Sequence, residues 1–144
     1  MDRAAELELM QRLLRQCRTI AVVGLSSDPR KDSYIVAHHL HRQGYDIVPI
    51  NPKAERILGR PAHPSLAALP AAIAERIDLV NVFRPATELA GIVEQALAYL
   101  PNLRGIWAQK GITDAAAAAR AHATGVAMIQ DRCIRTQHLR LRFG

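Results

Sequence analysis

Five short polar segments hold most of the chemistry available to this chain, and each follows an apolar run. The first runs from Gly24 through Leu25, Ser26 and Ser27 to Arg30, Lys31 and Ser33. Gly24 lets the backbone turn tightly and approach a phosphate. The N–H groups of Leu25, Ser26 and Ser27 can then face phosphate oxygens, with the serine hydroxyls as further donors. Arg30 and Lys31 supply charge nearby. One glycine and two serines also fit an ordinary strand-to-helix turn, and the later glycines of the dinucleotide fingerprint are absent.

The second segment is Asn51-Pro52-Lys53. An NAD site carries Asp or Glu at this point to hold the ribose 2′-hydroxyl. Here a cation stands without a carboxylate, which argues against NAD and suits a phosphorylated ribose. In the third segment, Phe83-Arg84-Pro85, the proline stops the strand and leaves Arg84 at its end; a merely solvated arginine is the alternative. In the fourth, Gln109-Lys110-Gly111, Gln109 offers both donor and acceptor and Gly111 frees the backbone to approach a ligand. The fifth is Asp131-Arg132-Cys133, where the two charged residues can also pair and brace the tail. Cys133 is the one candidate nucleophile. Arg132 and Arg135 would lower its pKa if they lie near it; the alternative is an inert, half-buried thiol.

Other chemistries find little support. His38, His39 and His41 share one helical stretch without an HExxH pattern, and His63, His122 and His138 are isolated and expected in solvent, so no metal site is expected. There is no GxSxG elbow and no catalytic constellation. Cys17 and Cys133 have no zinc-ligand spacing and are not expected to pair. The formal charge is +6, and 16 of the 19 basic residues are arginine. That permits a polyanionic ligand without identifying one. The basic tail from Arg132 to Arg142 lacks interleaved aromatics, which total 4%, so nucleic acid is not the expected partner. No membrane span and no signal peptide are expected, which makes the cytoplasm the default location. Either a monomer or a homodimer fits.

These segments need elements to position them. Leu7, Met10, Leu13, Leu14 and Cys17 recur at helical spacing, which predicts a surface helix over 4–16. Residues 19–24 read as a strand covered on both faces. Ser33 is expected to cap a helix that stops at Gly44. Strands are predicted at 46–50, 78–83, 104–108 and 126–130. Residues 53–64 read as a loop with a short extended piece near Ile57, and 65–76 as a short alanine-rich helical segment interrupted or started by Pro70. Helices are predicted over 87–99, with Leu89, Ile92, Val93, Ala96 and Leu97 inward, and from a cap at Thr113 or Asp114 to Thr124. The tail after Cys133 shows no pattern. Helices alternate with short apolar strands and no hairpin signal intervenes. The expected fold is therefore α/β: a Rossmann-like, doubly wound, five-stranded parallel sheet in a single domain over 1–144, with its core over about 17–138. Ligands of such sheets sit beyond the carboxyl ends of the strands, where the five polar segments fall.

Taken in order, these segments resemble the small stand-alone CoA-binding proteins, relatives of the CoA-binding domain of the succinyl-CoA synthetase α subunit. The resemblance rests on residues 20–27, 44–52, 82–85, 106–111 and 131–134, and covers roughly 10–140. It implies coenzyme A, or an acyl-CoA, across the carboxyl edge. Gly24, Ser26, Ser27 and Lys31 would hold phosphates. Asn51, Pro52 and Lys53 would lie along the adenosine, and Phe83 and Arg84 would flank the middle of the ligand. Gln109 and Gly111 would lie near the pantetheine. The chain departs from the family pattern at Ala108, Lys110 and Thr136-Gln137, all toward the thiol end. The synthetase's ligase domain is absent, so the implied role is non-catalytic or regulatory. An NAD(H)-binding protein, or a small acyl-CoA or thiol enzyme using Cys133, is the alternative.

Overall fold

The computed structural model describes residues 2–143; Met1 and Gly144, the ends of the expected 1–144 domain, lie outside the described residues. Strands β1 (Thr19–Val23), β2 (Asp46–Ile50), β5 (Leu79–Val82), β6 (Gly105–Ala108) and β7 (Ala127–Ile129) form one parallel sheet in the order β2-β1-β5-β6-β7. Each residue of β1, β5 and β6 is buried. Alternation along β1 sends Ile20 and Val22 to one face and Ala21 and Val23 to the other.

Helices α1 (Arg3–Gln16), α2 (Asp32–Arg42) and α6 (Ile134–Phe143) cover the Ile20 face. Helices α3 (Ala71–Ala74), α4 (Ala86–Tyr99) and α5 (Ala115–Ala123) cover the other. Leu13 of α1 comes so close to the sheet that a Cβ on Gly105 would lie 2.9 Å from its Cδ2. Asp78 ties the start of β1 to the start of β5, accepting from the N–H groups of Arg18 at 2.9 Å and Thr19 at 3.0 Å.

The sheet, its parallel sense and its crossover helices match the expectation, and Asp114 caps α5 by accepting from Ala117 N–H at 3.0 Å. Several local expectations differ. Leu7 is 45% exposed, and Leu9 takes its place on the buried face of α1. Residues 53–64 contain a hairpin of β3 (Arg56–Ile57) and β4 (Arg60–Pro61), which turns through Leu58 and Gly59 at φ 55° and 72°. Two positive φ values are the type I′ requirement, and a leucine in the first position carries no turn signal. Ser33 does not cap α2: the helix begins at Asp32 with Lys31 as N-cap, and the Ser33 hydroxyl accepts from Ser26 N–H. The tail is the helix α6, packed on α1 and α2.

Candidate functional site

From β1 the chain runs outward to β2 and then back past β1 to β5, so the strand order reverses between β1 and β5. A crevice opens at such a point, beyond the carboxyl ends. Gly24 stands there at φ +88°. Its N–H donates to the Ile50 carbonyl, and the Phe83 N–H donates to the Val23 carbonyl. A Cβ on Gly24 would lie 2.9 Å from Arg84 Cδ and 3.2 Å from the Phe83 carbonyl carbon. Only glycine lets the first and third segments meet this closely.

The turn after Gly24 is internally braced. Ser26 N–H donates to Ser33 Oγ at 3.0 Å, so this amide, expected to face a phosphate, is engaged. Ser26 Oγ in turn accepts from Asp28 N–H at 3.0 Å. Leu25 is fully buried and reaches a ligand only through its backbone, while Ser27 is exposed. Arg30 folds onto Asp28 through two contacts of 3.0 and 3.1 Å, which neutralise much of its charge. That pair, with the N–H of Arg30, holds the Asp28 carboxyl below its ordinary range. Lys31 remains exposed at the start of α2.

At the end of β2, Asn51 serves as a bracket. Its Nδ2 donates to the Leu25 carbonyl at 2.9 Å, and its Oδ1 accepts from the N–H groups of Lys53 and Ala54 at 2.7 and 3.0 Å. It thereby joins the first two segments, with Pro52 and Lys53 exposed beside it. Phe83 is half-buried. The Arg84 guanidinium pairs with Glu88 one helical turn on, at 2.6 Å, and holds that carboxyl below its ordinary range.

The fourth and fifth segments also meet. Gly111 N–H donates to Asp131 Oδ1 at 2.7 Å, the leading reason that carboxyl titrates low. Gln109 is buried, and its Oε1 accepts from Asn81 Nδ2 at 3.1 Å and from Ile134 N–H at 3.0 Å. Asn81, inside β5, is fully buried and was not among the expected site residues; its own Oδ1 has no partner among the described residues. Cys133 is half-buried at the start of α6. Burial alone would raise its pKa. Hydrogen bonds from the Thr136 N–H and hydroxyl, the Gln109 side chain and the Arg135 N–H outweigh burial, and the thiol titrates below 9.0. The cause is these donors rather than the guanidinium groups of Arg132 and Arg135. Arg132 is turned away onto Glu6 at 2.8 Å.

His138, expected in solvent, is 9% exposed. Its Nδ1 lies 3.0 Å from His39 Nε2, with the Tyr45 ring edge-on, joining α6 to α2. No group of three or more metal-ligating side chains occurs among the described residues. No helix among them is long and apolar enough to cross a membrane.

Known proteins share this arrangement. The YneT protein of Bacillus subtilis (strain 168) is 34% identical over 129 residues, which is 90% of this chain and 91% of that protein. The structure of a hypothetical protein from Pyrococcus horikoshii OT3 superposes with a TM-score of 0.85 at 32% identity, covering 94% of this chain and 92% of the other. A Thermus thermophilus structure gives 0.83 at 31% identity, covering 94% and 98%. The CoA binding domain family matches residues 18–138, from the start of β1 into α6, and with most of the chain inside that match the protein belongs to this family.

Proposed function

We propose that the protein binds coenzyme A, free or acylated, along the carboxyl edge of the sheet, as a non-catalytic, regulatory CoA-binding protein. The observation that carries this is the close meeting of Gly24 with Arg84 where the strand order reverses, beside a β2 end with Asn51 and Lys53 in place of a carboxylate. A ribose bearing a phosphate is tolerated there and an unmodified NAD ribose loses its acidic partner. The phosphates lie over the Gly24–Ser27 turn with Lys31. Pro52 and Lys53 line the adenosine, and Asn51 holds their loop in place. Phe83 and Arg84 flank the middle of the ligand. Arg84 exchanges Glu88 for a ligand phosphate at little cost, since an exposed pair one turn apart is among the weakest of ion pairs. Gln109 and Gly111 lie beside the pantetheine, and Cys133 faces its thiol.

Calorimetric titration of the purified protein with CoA, and in parallel with NAD, tests this. Saturable heat with CoA and none with NAD is expected. Binding of NAD without CoA would overturn the reading.

The lowered Cys133 pKa favours a second reading, in which the thiol reacts. The thiolate attacks the S–S bond of a CoA disulfide; a Cys133–CoA disulfide forms and one CoA thiolate leaves. Intact-mass analysis after incubation with CoA disulfide would show one CoA adduct. In Cys133→Ser the adduct is lost while CoA binding persists. No adduct on the parent protein would refute this second reading.

A further inference from the structure

Strand β5 is apolar except at Asn81, which is buried between Val80 and Val82 with none of its surface in solvent. Its Nδ2 donates to the Trp107 carbonyl and to Gln109 Oε1, each at 3.1 Å. A carbonyl only accepts, so the Trp107 contact fixes which end of the Asn81 amide faces β6. The other end, Oδ1, is left without a partner among the described residues. A buried acceptor without a donor costs stability, and an apolar side chain at this position would avoid that cost.

What the arrangement provides is the orientation of Gln109. Asn81 Nδ2 and the Ile134 N–H, the latter at 3.0 Å, both donate to Gln109 Oε1. Two donors on the oxygen leave Nε2 for the Cys133 thiol. Ile134 belongs to α6 itself, so Asn81 is the residue that ties this cluster to the sheet. The charges near the thiol are engaged elsewhere or stand along the groove beside it. Arg132 pairs with Glu6 of α1 at 2.8 Å, Lys110 lies near Asp131, and Arg3 and Arg140 line the groove. Arg135 meets the sulfur through its backbone N–H. Burial and neutral donors set the balance at the sulfur, and Gln109 is the one donor that α6 does not supply.

We infer that Asn81 is the positioning residue for Cys133: it holds the Gln109 amide with Nε2 toward the sulfur, and so favours the thiolate over the thiol. The inference rests on the reading above in which this thiolate attacks a CoA disulfide, and it gives the buried, half-satisfied amide of β5 a part in that reaction.

The test is the pH profile of Cys133 alkylation by iodoacetamide, read by intact mass. Gln109→Leu should raise the midpoint by about one pH unit, the loss of one hydrogen bond to a charged group. Asn81→Leu should raise it by about 0.3–0.7 pH unit, what an ordinary hydrogen bond can pass on while Ile134 N–H still holds Oε1. The double variant should match Gln109→Leu alone, because Asn81 acts through Gln109; loosened packing would instead add to that loss. Asn81→Ala should repeat the Asn81→Leu result and keeps the test open should the leucine not fit. In the parent protein, the Gln109 side-chain N–H resonances should follow the Cys133 titration, a measurement that needs no variant. An unchanged midpoint in both Asn81 variants, additive shifts in the double variant, or Gln109 resonances that ignore the titration would overturn this inference alone. Absence of a CoA adduct on the parent protein overturns the thiol reading beneath it.

Discussion

Replacing Gly24 with alanine tests whether the close meeting of β1 and β5 builds the site. Two costs follow from the geometry. At φ +88° a side chain is strained, by about 1–2 kcal/mol. The new Cβ would also meet Arg84 Cδ at 2.9 Å and the Phe83 carbonyl carbon at 3.2 Å. The Arg84 stem is flexible and can yield. The Phe83 backbone is not, because its N–H is bonded to the Val23 carbonyl at 2.8 Å, so relief there pushes the two strand ends apart. The contact adds about 1 kcal/mol, at the low end of overpacking costs. Together the loss is about 2–3 kcal/mol, or a fall in Tm of roughly 4–12 °C for a chain of this length. Gly44→Ala is the matched control: its φ is +99°, and a Cβ there meets nothing within 4 Å. It carries the dihedral cost alone. Urea denaturation of the parent and both variants separates the two costs, and CoA titration well below the transition reads the site. Gly24→Ala should be the less stable variant and should bind CoA more weakly than Gly44→Ala. Equal stability and equal CoA affinity in the two would refute the claim that this contact shapes the crevice.

Two further predictions concern titrating groups. Alkylation of Cys133 by iodoacetamide should have a midpoint below pH 9.0, and Thr136→Val should move it upward by removing the hydroxyl donor. Cys17, buried and with its pKa pushed up to about 12, should stay unmodified in the folded protein; an unchanged midpoint in Thr136→Val would refute the donor argument. The His39–His138 pair should make stability depend on acidity. Burial holds both rings below 6.5, helped at His39 by the charge of His138, Arg135 and Arg142, and at His138 by Arg142. The unfolded chain therefore takes up these protons before the folded one. The stability is whole above about pH 6.5 and is lost as the pH falls through the folded-state values. Urea midpoints at pH 7.5 and pH 5 should differ less in His138→Gln than in the parent, and an equal difference would exclude the pair as the source.

Where local chemistry decides the structure, the sequence is a good guide. The unbroken apolar runs at Ile20–Val23 and Leu79–Val82 announce strands with helices on both sides, because polar groups have no place on either face. The turn at Gly24 is legible from its residue types, although its neighbours in space are Ile50, Phe83 and Arg84. Tertiary demands hide the rest. Helix α6 escapes hydrophobic periodicity because its buried face includes Gln137 and His138, whose burial depends on α1 and α2. Leu58 at positive φ and Ser33 as acceptor for Ser26 N–H fail for the same reason: a partner elsewhere outweighs the local preference.

This division separates the two ends of the site. The end proposed for the phosphates is the run of residues after Gly24, held by Asn51 and met by Phe83 and Arg84. The end proposed for the thiol is assembled from residues far apart in the chain. Ile134 N–H and Asn81 Nδ2 both donate to Gln109 Oε1, which fixes the orientation of that amide. Its Nε2 is then the group left to donate to the Cys133 thiol, in keeping with the low titration of that thiol. Asn81 holds Gln109 from within β5, and Gln109 holds the first turn of α6, so the position of Cys133 depends on a strand residue more than fifty places earlier in the sequence. Substitutions at the thiol end therefore act through the docking of α6 on the sheet. Those at Gly24 act through the meeting of its turn with the end of β5.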